Sequence, residues 1–180
     1  ESDTLKVVFV DVCKCKSPIE FAESLASAVL SQTASKTDEL LENAKAFLGR
    51  INFGVNLSPD ALTTFDIKLG LSDEQSDVSS ALSIPEKIAK KKNIKIVVCI
   101  DEFQQIGEFV DSVSFQKELR TVWQHQQNVT YCMFGSKKHM MESLFDTAEK
   151  AFFKFGDIIY LKTIPLSYWL DFVSGKFVAA

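Results

Sequence analysis

No apolar stretch in these 180 residues reaches the length of a membrane span. No segment has the charged start, apolar middle and small-residue cleavage site of a secretory signal. No membrane partner is therefore expected. Cysteine is scarce, at Cys13, Cys15, Cys99 and Cys132. Cys13-Lys14-Cys15 lacks the two-residue spacer and second ligand pair of a zinc site, and the other two stand alone in apolar runs. Free, mostly buried thiols in a reducing compartment, the cytoplasm, are expected instead. Strong positive charge is also missing. The net charge is −4 with both signs interspersed, so DNA is a partner that the charge balance does not support, a local patch aside. The one basic run, Lys90-Lys91-Lys92, reads as a solvated helix end with cations at the negative pole of the helix dipole, or else as a DNA or phosphate contact. No Gly-x-Ser-x-Gly elbow occurs, and His125 and His139 fall on polar helix faces, so Ser/His/Asp chemistry has no support. The sequence opens on Glu1 and not Met, which suggests processing or a start within a longer protein.

What is present builds one domain. Hydrophobic residues make up 46% of the chain, enough for a substantial core. Leu5–Val12 is short, β-branched and almost continuously apolar, the pattern of a strand buried on both sheet faces. Ser17, Pro18 and Glu20 then form a capped helix start, and Phe21, Leu25, Ala28 and Val29 recur at helical spacing to about Gln32. A second helix opens at Thr37 or Asp38 and ends at Gly49. The alternation in INFGVNL and LTTFDIKLGL, with Ser58-Pro59-Asp60 between, predicts a small antiparallel hairpin over about 51–72, followed by a loop rich in Ser and Asp. Helices are predicted over Ile84–Lys92, Phe115–Gln127, Lys137–Phe145 and Ser167–Phe177, with a short helix or turn over Phe103–Phe109. Strands are predicted over Ile94–Ile100, Val129–Phe134 and Ile158–Leu161. This alternation implies an α/β fold, a mainly parallel sheet with helices on both faces. Ligands of such sheets bind beyond the carboxyl ends of the strands, here just after Val12, Ile100 and Phe134.

Two segments carry chemistry. In IKIVVCIDEFQ, Asp101 and Glu102 stand where a buried strand emerges. In ATP hydrolysis a first carboxylate there holds magnesium, usually through its water shell, and a second accepts a proton from the attacking water or orients it. The plainer reading is a strand end capping the next helix. In VTYCMFGSKKHM, a buried strand runs into Gly135-Ser136 and then a helix. Ser136 taken alone is most simply that helix's N-cap. A parallel sheet, however, puts it on the same rim as Asp101 and Glu102, where a hydroxyl can sense a γ-phosphate or hold a nucleophilic water.

Taken together, these segments resemble the archaeal-type ATPases of the signal-transducing (STAND) branch of the AAA+ superfamily of P-loop NTPases. KVVFVDV and the helix after it resemble the strand and helix that follow the family's phosphate loop. VVCIDEFQ is similar to its Walker B pattern, including Phe103 and Gln104. MFGSKKHMMESLF is similar to its sensor segment, and DIIYLKTIPLSYWLDFV to the strand, Pro-Leu step and helix that close the core. The resemblance implies that residues 1–180 are a partial ATPase core, with Asp101 on magnesium and with Glu102 and Ser136 as catalytic residues. It departs from the family in three places. No G-x-x-x-x-G-K-[ST] phosphate loop is present, so no cofactor-binding loop is intact. The lid is expected beyond Ala180. No arginine precedes the last core strand, where Lys154 is the available cation; the arginines present are Arg50 and Arg120.

ATP and Mg²⁺ are thus expected cofactors of a full-length parent, with none bound by this chain alone. The implied function is an ATP-binding and ATP-hydrolysing switch acting on an unidentified protein client or effector domain. The alternative is a non-catalytic α/β interaction module. The aromatic group Phe152, Phe153 and Phe155 reads as core or as a docking patch for a lid or partner.

Overall fold

The computed structural model describes residues 4–34, 52–57, 65–70 and 75–178. The helix expected over 38–49 and the turn at 58–60 lie outside them.

Strand β1 is Leu5–Asp11, and α1 is Pro18–Thr33. The helix starts where the sequence places its cap. The Ser17 Oγ accepts the Glu20 amide at 3.2 Å, while the Glu20 carboxylate reaches back to the Lys16 amide at 2.7 Å. These bonds satisfy N–H groups that a helix start leaves unpaired. Strands β2 (Asn52–Leu57) and β3 (Phe65–Gly70) pair antiparallel in a two-stranded ladder of their own. The Ser- and Asp-rich stretch predicted as loop instead contains a helix, α2 (Gln75–Leu82), which buries Val78, Ala81 and Leu82. Three apolar residues on one helical face outweigh the turn-forming composition.

Helix α3 is Ile84–Lys92 and ends at Asn93, which adopts the left-handed conformation. Its basic end is structural: Lys90 pairs with Glu86 at 3.3 Å, and the Lys92 ammonium reaches the Thr33 carbonyl at the end of α1. Strand β4 is Lys95–Asp101, followed by a 3₁₀ segment at Phe103–Glu108. Helix α4 (Ser112–Trp123), β5 (Val129–Met133), α5 (Lys138–Phe145) and α6 (Leu166–Val178) complete the chain.

The fold is α/β, with β1, β4 and β5 forming a three-stranded parallel sheet in the order β1-β4-β5. One face of it builds the core. Val8, Val10, Ile96, Val98 and Ile100 pack there against Phe21, Leu25, Leu82, Ile88, Leu119 and Trp123 from the helices. The other face departs from the expected two-sided cover. Among the described residues it is open: Phe9 is 70% exposed, Cys132 is exposed, and Val7, Val97 and Cys99 are partly so. These outward positions are apolar, which is why the strands read as buried on both faces.

Ile158–Leu161 also differs from expectation. It forms no ladder with a described strand and is exposed, Leu161 at 93%. A strand needs a partner for its backbone groups, and β-branched composition does not supply one. Phe152 belongs to the core and not to a docking patch. It is fully buried, with its ring centroid 5.4 Å from Phe103 and 5.5 Å from Phe145. Arg120 fastens this loop by donating to the carbonyls of Ala151 (2.6 Å) and Phe153 (2.8 Å) and lying over the Phe155 ring. Arg50 lies outside the described residues. The Lys154 ammonium lies over the Phe153 ring.

Candidate functional site

The parallel register brings the strand ends to one rim. Asp11 at the end of β1 is paired with Asp101 at the end of β4, and Ile100 is paired with Met133 on β5. The β4–β5 contact continues past the strands, because the Phe134 amide donates to the Ile100 carbonyl (3.0 Å) and the Phe103 amide to the Phe134 carbonyl (3.1 Å). Between these two bonds the chain turns. Glu102 sits in the left-handed region at φ 52° and ψ 38°, a conformation that costs a residue with a Cβ about 1–2 kcal/mol. Asp101 supports the turn, its Oδ1 accepting the Glu102 amide at 2.8 Å.

The turn delivers the Glu102 carboxylate to the end of β5. Ser136 Oγ donates to Glu102 Oε2 at 3.1 Å, and the Gln104 side-chain amide donates to the same oxygen. The Ser136 hydroxyl, the Gln104 amide, the Ser136 backbone and the Lys137 charge together hold the Glu102 carboxyl below its ordinary pKa, against a smaller opposing effect of desolvation. Ser136 is not the N-cap of α5. That position belongs to Lys137, which makes no side-chain capping bond, and the Ser136 hydroxyl is turned to Glu102. The structure thus brings Asp101, Glu102 and Ser136 together at, or just beyond, the ends of adjacent parallel strands.

Further residues join them. Asp11 accepts the Cys13 amide at 3.0 Å and pairs with Lys14 at 3.4 Å. Desolvation pushes the Cys13 thiol pKa up, as do the negative charges of Asp11, Glu102 and Asp101, so the three carboxylates share one electrostatic neighbourhood. Gln104 is 1% exposed, and its Oε1 has no protein partner. That amide is seated on Gly135. A Cβ there would stand 1.8 Å from Gln104 Oε1 and 2.9 Å from its Cδ, so the glycine is what lets the amide reach Glu102. Asp11 was legible in principle: it ends an apolar strand as Asp101 does, and parallel pairing sets the two side by side.

Among the described residues, no group of three or more His, Cys, Asp or Glu is arranged to hold a metal, and no helix is long and apolar enough to cross a membrane. Compared with known proteins, the chain matches no family model and no curated protein.

Proposed function

We propose that this chain is part of the core of an ATP-binding and ATP-hydrolysing switch of the AAA+/STAND type, with β2–β3 an insertion in that core. The observation that carries the reading is the Ser136–Glu102 hydrogen bond across the ends of two parallel strands. A carboxylate that merely ended a strand would have no need of a hydroxyl from the next strand, nor of a buried amide beneath it. The residues suit the metal side of such a site. Magnesium binds through one or two carboxylates and keeps several waters. Asp101, with Asp11 beside it, offers that pair on an open rim. Bound magnesium would screen phosphate charge. Glu102, kept ionised by its two donors, would orient an attacking water and accept its proton. Ser136 would sense the terminal phosphate. This sequence holds no phosphate loop, so nucleotide binding needs a loop from the full-length parent, and the chain alone is expected to be inactive.

A second reading, a non-catalytic interaction module, draws on the exposed apolar side chains of Phe9, Leu161, Trp169 and Phe172. Nucleotide titration of the full-length parent separates the two. Asp101→Asn should weaken Mg²⁺–ATP affinity by about 10–100-fold, the loss typical when a group that orients a metal's ligands is removed. Unchanged affinity would favour the interaction module.

A further inference from the structure

Two thiols outside the rim stand side by side. Cys99 on β4 and Cys132 on β5 are direct register partners in the parallel ladder. Both lie on the open face of the sheet, Cys132 exposed and Cys99 partly covered. Phe9 of β1 is the register partner of Cys99 on its other side, so the row reads phenylalanine, thiol, thiol. Neighbouring strands lie about 4.8 Å apart. That falls within the Cα separation of about 4.4–6.8 Å that a disulfide spans, while the Cβ atoms must draw in toward about 3.5–4.5 Å. The pair has no third ligand among the described residues, which leaves a four-coordinate metal half satisfied. Sulfur–sulfur chemistry is the better match.

We infer that Cys99 and Cys132 form a reversible dithiol modification site, oxidised across β4 and β5 by a low-molecular-weight disulfide of the glutathione type. The Cys132 thiolate attacks one sulfur of the small disulfide, forming a mixed disulfide and expelling one thiolate. The Cys99 thiolate then attacks the Cys132 sulfur, closes the cross-strand bond and expels the second thiolate. Two protein thiols are oxidised, one small disulfide is reduced to two thiols, and the two protons released by the cysteines go to the departing thiolates. The roles follow from access. Cys132 meets solvent. Cys99 is partly covered and faces Cys132 across the ladder, which leaves it the second, intramolecular step. The drawing-in of the Cβ atoms leaves the bond strained and easily reduced. Cys15 is excluded as a rival partner: it is buried on the core side, and burial pushes its thiol up to about 11.

The test treats the folded 180-residue chain with glutathione disulfide, blocks free thiols by alkylation, and maps peptides by mass spectrometry before and after dithiothreitol. The expected result is a cross-linked pair of peptides carrying residues 99 and 132, the loss of two free thiols, and full return on reduction. Cys99→Ser should stop at a glutathione adduct on Cys132, and Cys132→Ser should leave Cys99 free. Circular dichroism checks that both variants fold. A stable glutathione adduct on wild-type Cys132 without the cross-link would overturn the inference. So would oxidation confined to Cys13, or no reaction at Cys132.

Discussion

Glu102 is poised by its neighbours and not by its own position in the chain. Its carboxylate is held below the usual pKa first by the Ser136 hydroxyl and then by the Gln104 amide. A carboxyl depressed in the folded state contributes stability above the ordinary glutamate pKa, about 4.3, and loses it as pH falls through the folded value. Ser136→Ala should therefore raise the Glu102 pKa toward that ordinary value and shift the fading of this contribution to higher pH. Side-chain carboxyl NMR titration of both proteins checks it, and an unmoved Glu102 titration would remove Ser136 from the site. Gly135→Ala tests the seat of Gln104. The added methyl must displace a buried amide end, at an overpacking cost of about 1–3 kcal/mol in urea unfolding. Gln104→Ala should relieve most of that cost, because the two nearest colliding atoms are gone and only the Met141 Sδ, 3.3 Å from the added Cβ, has still to give. These relations were only partly legible in the sequence. Asp101, Glu102 and Ser136 follow apolar strands and announce a rim. The second role of Gly135 and the burial of Gln104 depend on how the 3₁₀ segment after β4 packs against the end of β5, which no periodicity encodes.

The elements were legible where local rules and tertiary packing agree. Helix α1 begins at its Ser-Pro-x-Glu signal, α3 runs over the predicted Ile84–Lys92, and β1, β4 and β5 follow the apolar runs. They were misread where the deciding partner lies elsewhere in the molecule. Helix α2 is polar enough to read as loop, and three inward residues fix it. Residues 158–161 have strand composition and no ladder. Ser17→Ala probes an element whose local signal does the deciding. Removing the hydroxyl that accepts the Glu20 amide should cost about 1 kcal/mol in chemical denaturation. Ser17→Asp should restore it, because a carboxylate also caps and favours the positive pole of the helix. No loss with alanine would mean that the Glu20–Lys16 bond alone sets the start of α1.

At the scale of the whole molecule, one sheet carries two unlike surfaces. Its core face is closed by helices α1 to α4 and by the aromatic cluster around Phe103, Trp123 and Phe152. Its open face and the exposed apolar side chains of α6 present surface that a larger assembly could cover, and the carboxylate rim lies at the carboxyl end of the same strands. Ligand chemistry at the carboxyl ends of parallel strands is the general rule for such sheets.

In the proposed switch Glu102 activates water while the binding of nucleotide rests on other groups. Single-turnover ATP hydrolysis by the full-length parent, compared with its Glu102→Gln variant, tests it most directly. A glutamine keeps the size and hydrogen-bonding reach of the side chain but cannot take a proton. ATP affinity should stay close to that of the parent, with hydrolysis slowed by about 10²–10⁴-fold. Hydrolysis by Glu102→Gln at the parental rate would contradict it.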